Sequence, residues 1–311
     1  MRNEANETPS APGSAEADRG SSFAKLLLPQ TLGLNAFLAL GFIAAATDWN
    51  VSWFTIVLIL LAFIGARNAG HAFNQIVDRR FDALNPRTAD RPLVTGSMSL
   101  RTAAMVVVLN VALLFAAAWF LNWLVFLLAP IALALVLGYS YAKRVTAWTT
   151  VLLGLVQAMI PAGVYLATKE ALPLPALVAG FAVIFFGTAF ESVHSLGDME
   201  SDRRLGLRSI PLLLGARRAV LATGLILVAS LVLFGLFGYL VPLKASFFVL
   251  LAAMGAVAAW EVWFLWGQAQ STPGTSPAAK GLENIGFPLM ANLAMGGLFF
   301  AGVMVGLYLP V

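Results

Sequence analysis

The sequence predicts an all-α, polytopic membrane protein of about nine transmembrane helices, and three observations carry that prediction. The chain is 60% hydrophobic and only 11% charged, its mean hydropathy is +0.85, and apolar stretches of helical length recur along all 311 residues. A soluble domain would be roughly 25% charged, and a hydrocarbon core of about 30 Å takes roughly 20 apolar residues per helical crossing. Nine crossings leave no room for a separate soluble domain. With no cysteine, disulfides, thiolate metal sites and cysteine nucleophiles are excluded. The bilayer is the expected environment, and a nucleic acid is not among the expected partners.

The elements follow in order. Residues 1–22 are polar, mixed in charge and poor in large apolar side chains, so they read as a disordered tail. Residues 23–311 read as one transmembrane domain. Apolar stretches lie near 25–47, 51–77, 100–120, 122–142, 147–167, 174–197, 217–241, 246–268 and 285–309. The first ends in Ala44, Ala45 and Ala46, which imitates a signal-peptide cleavage site, but its apolar run is too long for one. Fourteen of the nineteen basic residues fall in the loops and helix ends after the second, fourth, sixth and eighth spans, whereas the opposite loops hold only Lys169 and Lys244. The bias toward basic cytoplasmic loops therefore places the N-terminus inside, the C-terminus outside, and the charged loops in the cytoplasm of a prokaryotic cell, at its inner or plasma membrane.

Two acidic stripes sit at that surface. Asn74, Asp78 and Asp82 close the second span at spacings of four, and each such step turns a helix face by about 40° and climbs about 6 Å. The three side chains therefore share one face. Glu191, His194, Asp198 and Asp202 repeat the pattern at the end of the sixth span, with spacings of three, four and four. One such stripe is easily read as solvation of a helix end beside Arg79, Arg80, Arg203 and Arg204. Two stripes reaching back into apolar helices argue for function, because polar groups at membrane depth are costly unless paired or used. Carboxylates and an amide oxygen at this density suit Mg²⁺, a hard cation that prefers oxygen ligands.

Arginines follow each stripe: Arg87 and Arg91 ahead of Gly96, then Arg208 ahead of Gly215. Guanidinium groups beside Mg²⁺ suit a diphosphate, since they bind phosphate oxygens in forks and stabilise the charge of a departing pyrophosphate. Topogenic or lipid-headgroup roles stand as the alternative, and are preferred for Arg217 and Arg218. Tyr139 and Tyr141, beside Lys143, are either ring faces for a cationic carbon or interfacial anchors. His71 and His194 are either catalytic or hydrogen-bonded helix residues.

At these motifs the chain resembles the UbiA superfamily of intramembrane prenyltransferases. The resemblance rests on NxxxDxxxD at Asn74–Asp82, on the run from Arg87 to Leu93, and on DxxxD at Asp198–Asp202, and it extends over roughly residues 25–309. It implies helices around a central cavity that opens to a cytoplasmic cap and laterally to lipid. A polyprenyl diphosphate would lie there with its head on Mg²⁺ held by both motifs. By position, Asn74, Asp78, Asp82, Asp198 and Asp202 become the metal site, and Arg67, Arg87, Arg91, Lys143 and Arg208 the diphosphate contacts. Glu191, His194 and Tyr139 become the catalytic candidates.

The segments at 85–89 and 206–211 are most similar to the quinone branch, whose members prenylate 4-hydroxybenzoate or dihydroxynaphthoate in ubiquinone or menaquinone biosynthesis. Haem O and chlorophyll synthases share the general motifs. Many aromatic prenyltransferases of the superfamily have Asp and Tyr where this chain has Glu191 and His194, a departure that bears on the acceptor. A transporter would also place acids in membrane helices, Glu261 among them, but would concentrate polar groups near the midplane. The characteristic single-segment motif of CDP-alcohol phosphotransferases is absent.

Overall fold

The computed structural model describes residues 22–23, 25–27, 32–86, 88–269 and 286–309. The expected tail, apart from Ser22, lies outside the described residues, as do Arg87 and the side chain of Lys143. Among the described residues every regular element is helical. Nine long helices dominate: α1 (Leu32–Thr47), α2 (Trp53–Asp82), α3 (Leu100–Leu121), α4 (Trp123–Gly138), α5 (Thr149–Lys169), α6 (Leu174–Gly197), α7 (Ala216–Leu240), α8 (Ala245–Ala269) and α9 (Gly286–Tyr308). Eight of them contain stretches long and apolar enough to cross a membrane, while α1, at 16 residues, is shorter. The chain is an integral membrane protein.

Local chemistry sets several boundaries. Ser52 and Ser99 accept the amide hydrogens of Thr55 and Thr102, each at 3.1 Å, capping α2 and α3. Asn122 alone links α3 to α4: its backbone is extended, its Oδ1 caps α4 through Val125 N at 2.9 Å, and its Nδ2 donates to Leu166 O of α5 at 3.0 Å. Helix α2 runs five residues past the apolar stretch expected to end at 77, because hydropathy marks the membrane boundary and not the end of a helix.

Consecutive long helices pack on one another, α9 returns to α1, and α1 also packs on α5, more extensively than on α2. Helix α6 is enclosed, with 72% of its span buried against 17% for α3 and for α4. Lipid tails are as apolar as leucine, so close packing is what binds such helices. Around α6 that packing comes from Phe186, Phe234 and Phe299, with Phe42 of α1 tilted against Phe299 at 5.0 Å between centroids. On its other side α6 meets α5 through two glycines. A Cβ on Gly154 would strike Ile184 O and come within 2.6 Å of Thr188 Oγ1, and one on Gly187 would lie 3.0 Å from Gly154 Cα. Glu191 sits one turn beyond that crossing.

The two ends of the bundle differ. One is closed by short links and by contacts such as Tyr308 OH to Asp48 O at 3.1 Å. Exposed Trp53, Trp119, Trp123 and Tyr239 lie there, as expected of an aromatic belt. At the other end the first motif closes α2, and the connections 83–99, 139–148 and 198–215, the last of which carries Asp198 and Asp202, meet one another and the end of α2 through polar side chains.

Candidate active site

The first motif lies on one unbroken helix, and its expected face is present. Asn74 Nδ2 donates to Asp78 Oδ2 at 2.9 Å. Asp78 Oδ1 meets Arg144 Nη2 at 2.8 Å, and the same nitrogen reaches Val77 O at 2.9 Å. The Arg144 guanidinium also lies over the rings of Phe81 (4.8 Å) and Tyr141 (5.3 Å), a cation–π setting that holds it against α2. Asp82, buried at the helix end, meets Arg91 Nη1 at 2.7 Å. The intervening loop is drawn tight by the amide hydrogens of Thr88 and Ala89 on Asn85 O, each at 3.0 Å, and by Thr88 Oγ1 on Asp82 O. Arg91 then caps the short helix Pro92–Thr95, which ends at Gly96 with φ +80, a left-handed conformation that favours glycine.

The second motif is not one uninterrupted helix. Helix α6 ends at Gly197, Asp198 occupies a turn, and Asp202 lies on the short helix Met199–Arg204. Backbone hydrogen bonds from Asp198 N–H to His194 O (3.2 Å) and from Asp202 N–H to Asp198 O (2.8 Å) carry a helical course through the turn. Glycine, a poor helix former, stands where the regular pattern gives way. Glu191 is buried and its Oε1 accepts the Tyr139 hydroxyl at 2.7 Å. Tyr139 belongs to the 3₁₀ turn Tyr139–Tyr141 that prolongs α4, and it lies within electrostatic reach of Asp78 and Asp198 as well as Glu191. Asn85 Nδ2 donates to Asp198 Oδ1 at 3.3 Å, joining the two motifs directly. His194 contacts its own helix, with Nδ1 3.0 Å from Phe190 O and its ring 4.4 Å from that of Phe190.

The remaining candidates spread outward. Arg67, largely buried in α2, donates to Leu27 O at 2.8 Å and to Asn68 Oδ1 at 3.0 Å. His71 is within electrostatic reach of both Arg67 and Arg91. Arg208 donates to Val145 O at 3.0 Å and lines an open pocket of about 470 Å³ with Trp148 and Leu213, on the outer side of the cap. Sequence reasoning missed Arg144 and Asn85 as site residues. Arg144 counted only toward topology, although its position directly after Lys143 at the end of the fourth span was the available signal. Asn85 opens the 85–89 segment that carried the resemblance, but its link to Asp198 depends on how the loop folds back.

Among the described residues no three of His, Asp and Glu are gathered closely enough to hold a metal ion. The donor chemistry nonetheless fits Mg²⁺: four aspartates and one asparagine supply oxygen alone, on two segments that Asn85 ties together.

The UbiA prenyltransferase family model matches residues 35–278. A 4-hydroxybenzoate octaprenyltransferase of Cronobacter sakazakii is 34% identical over 207 residues, covering 65% of this chain and 71% of that protein. A UbiA homolog from Aeropyrum pernix K1, solved in its apo form, superposes with a TM-score of 0.75 at 32% identity, over 88% of this chain and 97% of that one. A UbiA homolog from Archaeoglobus fulgidus, bound to GPP and Mg²⁺, gives a TM-score of 0.70 at 22% identity, over 92% and 99% of the two chains.

Proposed function

The chain belongs to the UbiA prenyltransferase family, and from that premise we propose that it moves a polyprenyl group from polyprenyl diphosphate to an aromatic acid of the 4-hydroxybenzoate type, in quinone biosynthesis. The observation that carries this reading is the buried Tyr139–Glu191 hydrogen bond, set beside aspartates of both motifs. The pair offers a carboxylate and a phenol to a ring acceptor. The relative from Cronobacter sakazakii supports the choice of acceptor.

Asn74, Asp78, Asp82, Asp198 and Asp202 would hold Mg²⁺, which when bound supplies positive charge against the leaving diphosphate. Arg91 and Arg144, each already on an aspartate of α2, stand ready to share phosphate oxygens. As the allylic C–O bond breaks, the electron pair leaves with diphosphate and positive charge gathers on the prenyl carbon. Tyr139 keeps its ring near that carbon and its hydroxyl on Glu191. Glu191 accepts a hydrogen bond from the acceptor's phenolic hydroxyl, which raises the electron density of the ring as its carbon attacks. A C–C bond forms as Glu191 takes the phenolic proton, and rearomatisation moves the proton of the attacked ring carbon to the ring oxygen, so that one proton leaves on Glu191 and the diphosphate leaves with the electron pair.

The donor's head and the motif loops lie on the cytoplasmic side in this reading. In this cysteine-free chain, single cysteines at 208 and 169 should label from opposite sides; labelling from the same side overturns the topology. Purified protein incubated with labelled prenyl diphosphates and several aromatic acids tests the activity. The expected result is Mg²⁺-dependent prenylation of 4-hydroxybenzoate. Preference for dihydroxynaphthoate would move the acceptor assignment, and no product with any aromatic acid would overturn it.

A further inference from the structure

We propose that residues 22–23 and 25–27, which precede α1 in the chain, are a positioning strap for Arg67 and Arg91 on either side of the first motif, setting how firmly the diphosphate head is held. This rests on the prenyl diphosphate reading above and adds residues that reading does not use.

Five polar links fasten the strap. Ser22 Oγ donates to Ser97 Oγ at 3.1 Å, and Lys25 Nζ pairs with Asp90 at 2.8 Å. Gln75 Nε2 donates to the carbonyls of Lys25 (3.1 Å) and Leu26 (2.9 Å), and Arg67 Nη1 donates to that of Leu27 (2.8 Å). The Leu26 side chain is fully buried with Ala72 of α2, Leu93 and Met98 of the motif loop, and Ala103 of α3.

The links differ in weight. Lys25 and Asp90 are both well exposed, and such pairs contribute little. Gln75 is 2% exposed, so its two bonds replace water that cannot reach it. Each contact acts on the site in a definite way. The Leu27 carbonyl fixes one nitrogen of Arg67, and a long side chain fixed in advance loses less entropy when an anion arrives. Leu26 packs against Leu93 in the short helix whose cap is Arg91, and so holds the guanidinium that reaches Asp82. Arg67 and Arg91, both within reach of His71, are thereby steadied by one piece of chain.

Gln75→Leu keeps the bulk and removes the donor, while Leu26→Ala removes the plug. Both should raise KM for the prenyl diphosphate about tenfold, with kcat and the acceptor KM within about threefold of the parent, since lost preorganisation weakens binding and not the chemical step. Lys25→Ala should leave all three within about twofold. Parent-like KM for the prenyl diphosphate in both variants, or a fall in kcat with KM unchanged, overturns the proposal. A Ser22→Cys/Ser97→Cys double variant guards against misfolding. Its disulfide should form on oxidation, and the cross-linked enzyme should keep parent kinetics. Activity lost on cross-linking and restored on reduction shows a segment that must leave, and overturns a positioning role. Should the parent prenylate no aromatic acid, the function reading fails by itself. The strap then stands or falls on equilibrium binding of labelled prenyl diphosphate, weakened about tenfold in Gln75→Leu or unchanged.

Discussion

The two acidic motifs resemble each other in sequence but are built differently. On α2, Asp78 and Asp82 each meet an arginine, at 2.8 and 2.7 Å. On α6, Glu191 meets a tyrosine hydroxyl at 2.7 Å inside the most enclosed helix of the bundle. One region is arranged around charge exchange with cations, the other around a hydroxyl and a proton. Equal spacing of acids therefore does not mean equal surroundings, and the proposed function assigns the diphosphate head to the first motif and the aromatic ring to the deep end of the second.

Substitutions at either motif test this assignment, and the largest effect is expected from the carboxylates proposed to hold Mg²⁺. Asp78→Asn or Asp198→Asn should cut prenyl transfer more than about a hundredfold, on the order of 3 kcal/mol in the barrier, in protein that still folds and inserts. Steady-state assays with and without Mg²⁺ check this, and substantial activity in either variant would remove the motifs from the metal site. Next come the arginines. Arg91→Ala and Arg144→Ala should raise KM for the prenyl diphosphate about tenfold while leaving the acceptor KM nearly unchanged, because the proposed function gives their charge to the head group. An acceptor effect of equal size would erase the division of labour. Bundle packing is a smaller lever on activity: Gly187→Ala should lower the thermal midpoint by displacing α6 from α5, a shift read by melting in detergent. The smallest effect belongs to Arg217→Ala, at an exposed position on α7, where turnover within about twofold of the parent is expected of a surface charge.

Much of this architecture was legible because membrane helices must bury their own backbone polarity, so hydropathy alone marks them. The stripe Asn74, Asp78, Asp82 was legible for the same reason that it works: helix periodicity places the three together. What periodicity does not encode is how loops fold back. Asn85 reaches Asp198 across 113 residues, and Tyr139 reaches Glu191 across 52; neither pairing has a local signature. Arg144 was visible as a charge, but its orientation depends on the rings of Phe81 and Tyr141 beneath it. The break at Gly197 and Asp198 was likewise hidden, because the acidic spacing continues unbroken through it.

Glu191 tests the central claim most directly. Glu191→Gln keeps the shape and the hydrogen bond to Tyr139 within reach while removing the basicity. Turnover at saturating substrate and equilibrium binding of prenyl diphosphate should be measured together, beside Asp78→Asn. The division of labour predicts a strong loss of turnover in Glu191→Gln, with prenyl diphosphate affinity within a few-fold of the parent. Normal turnover at saturation with lost diphosphate affinity would contradict it, and would place Glu191 with the head-group residues instead of the acceptor.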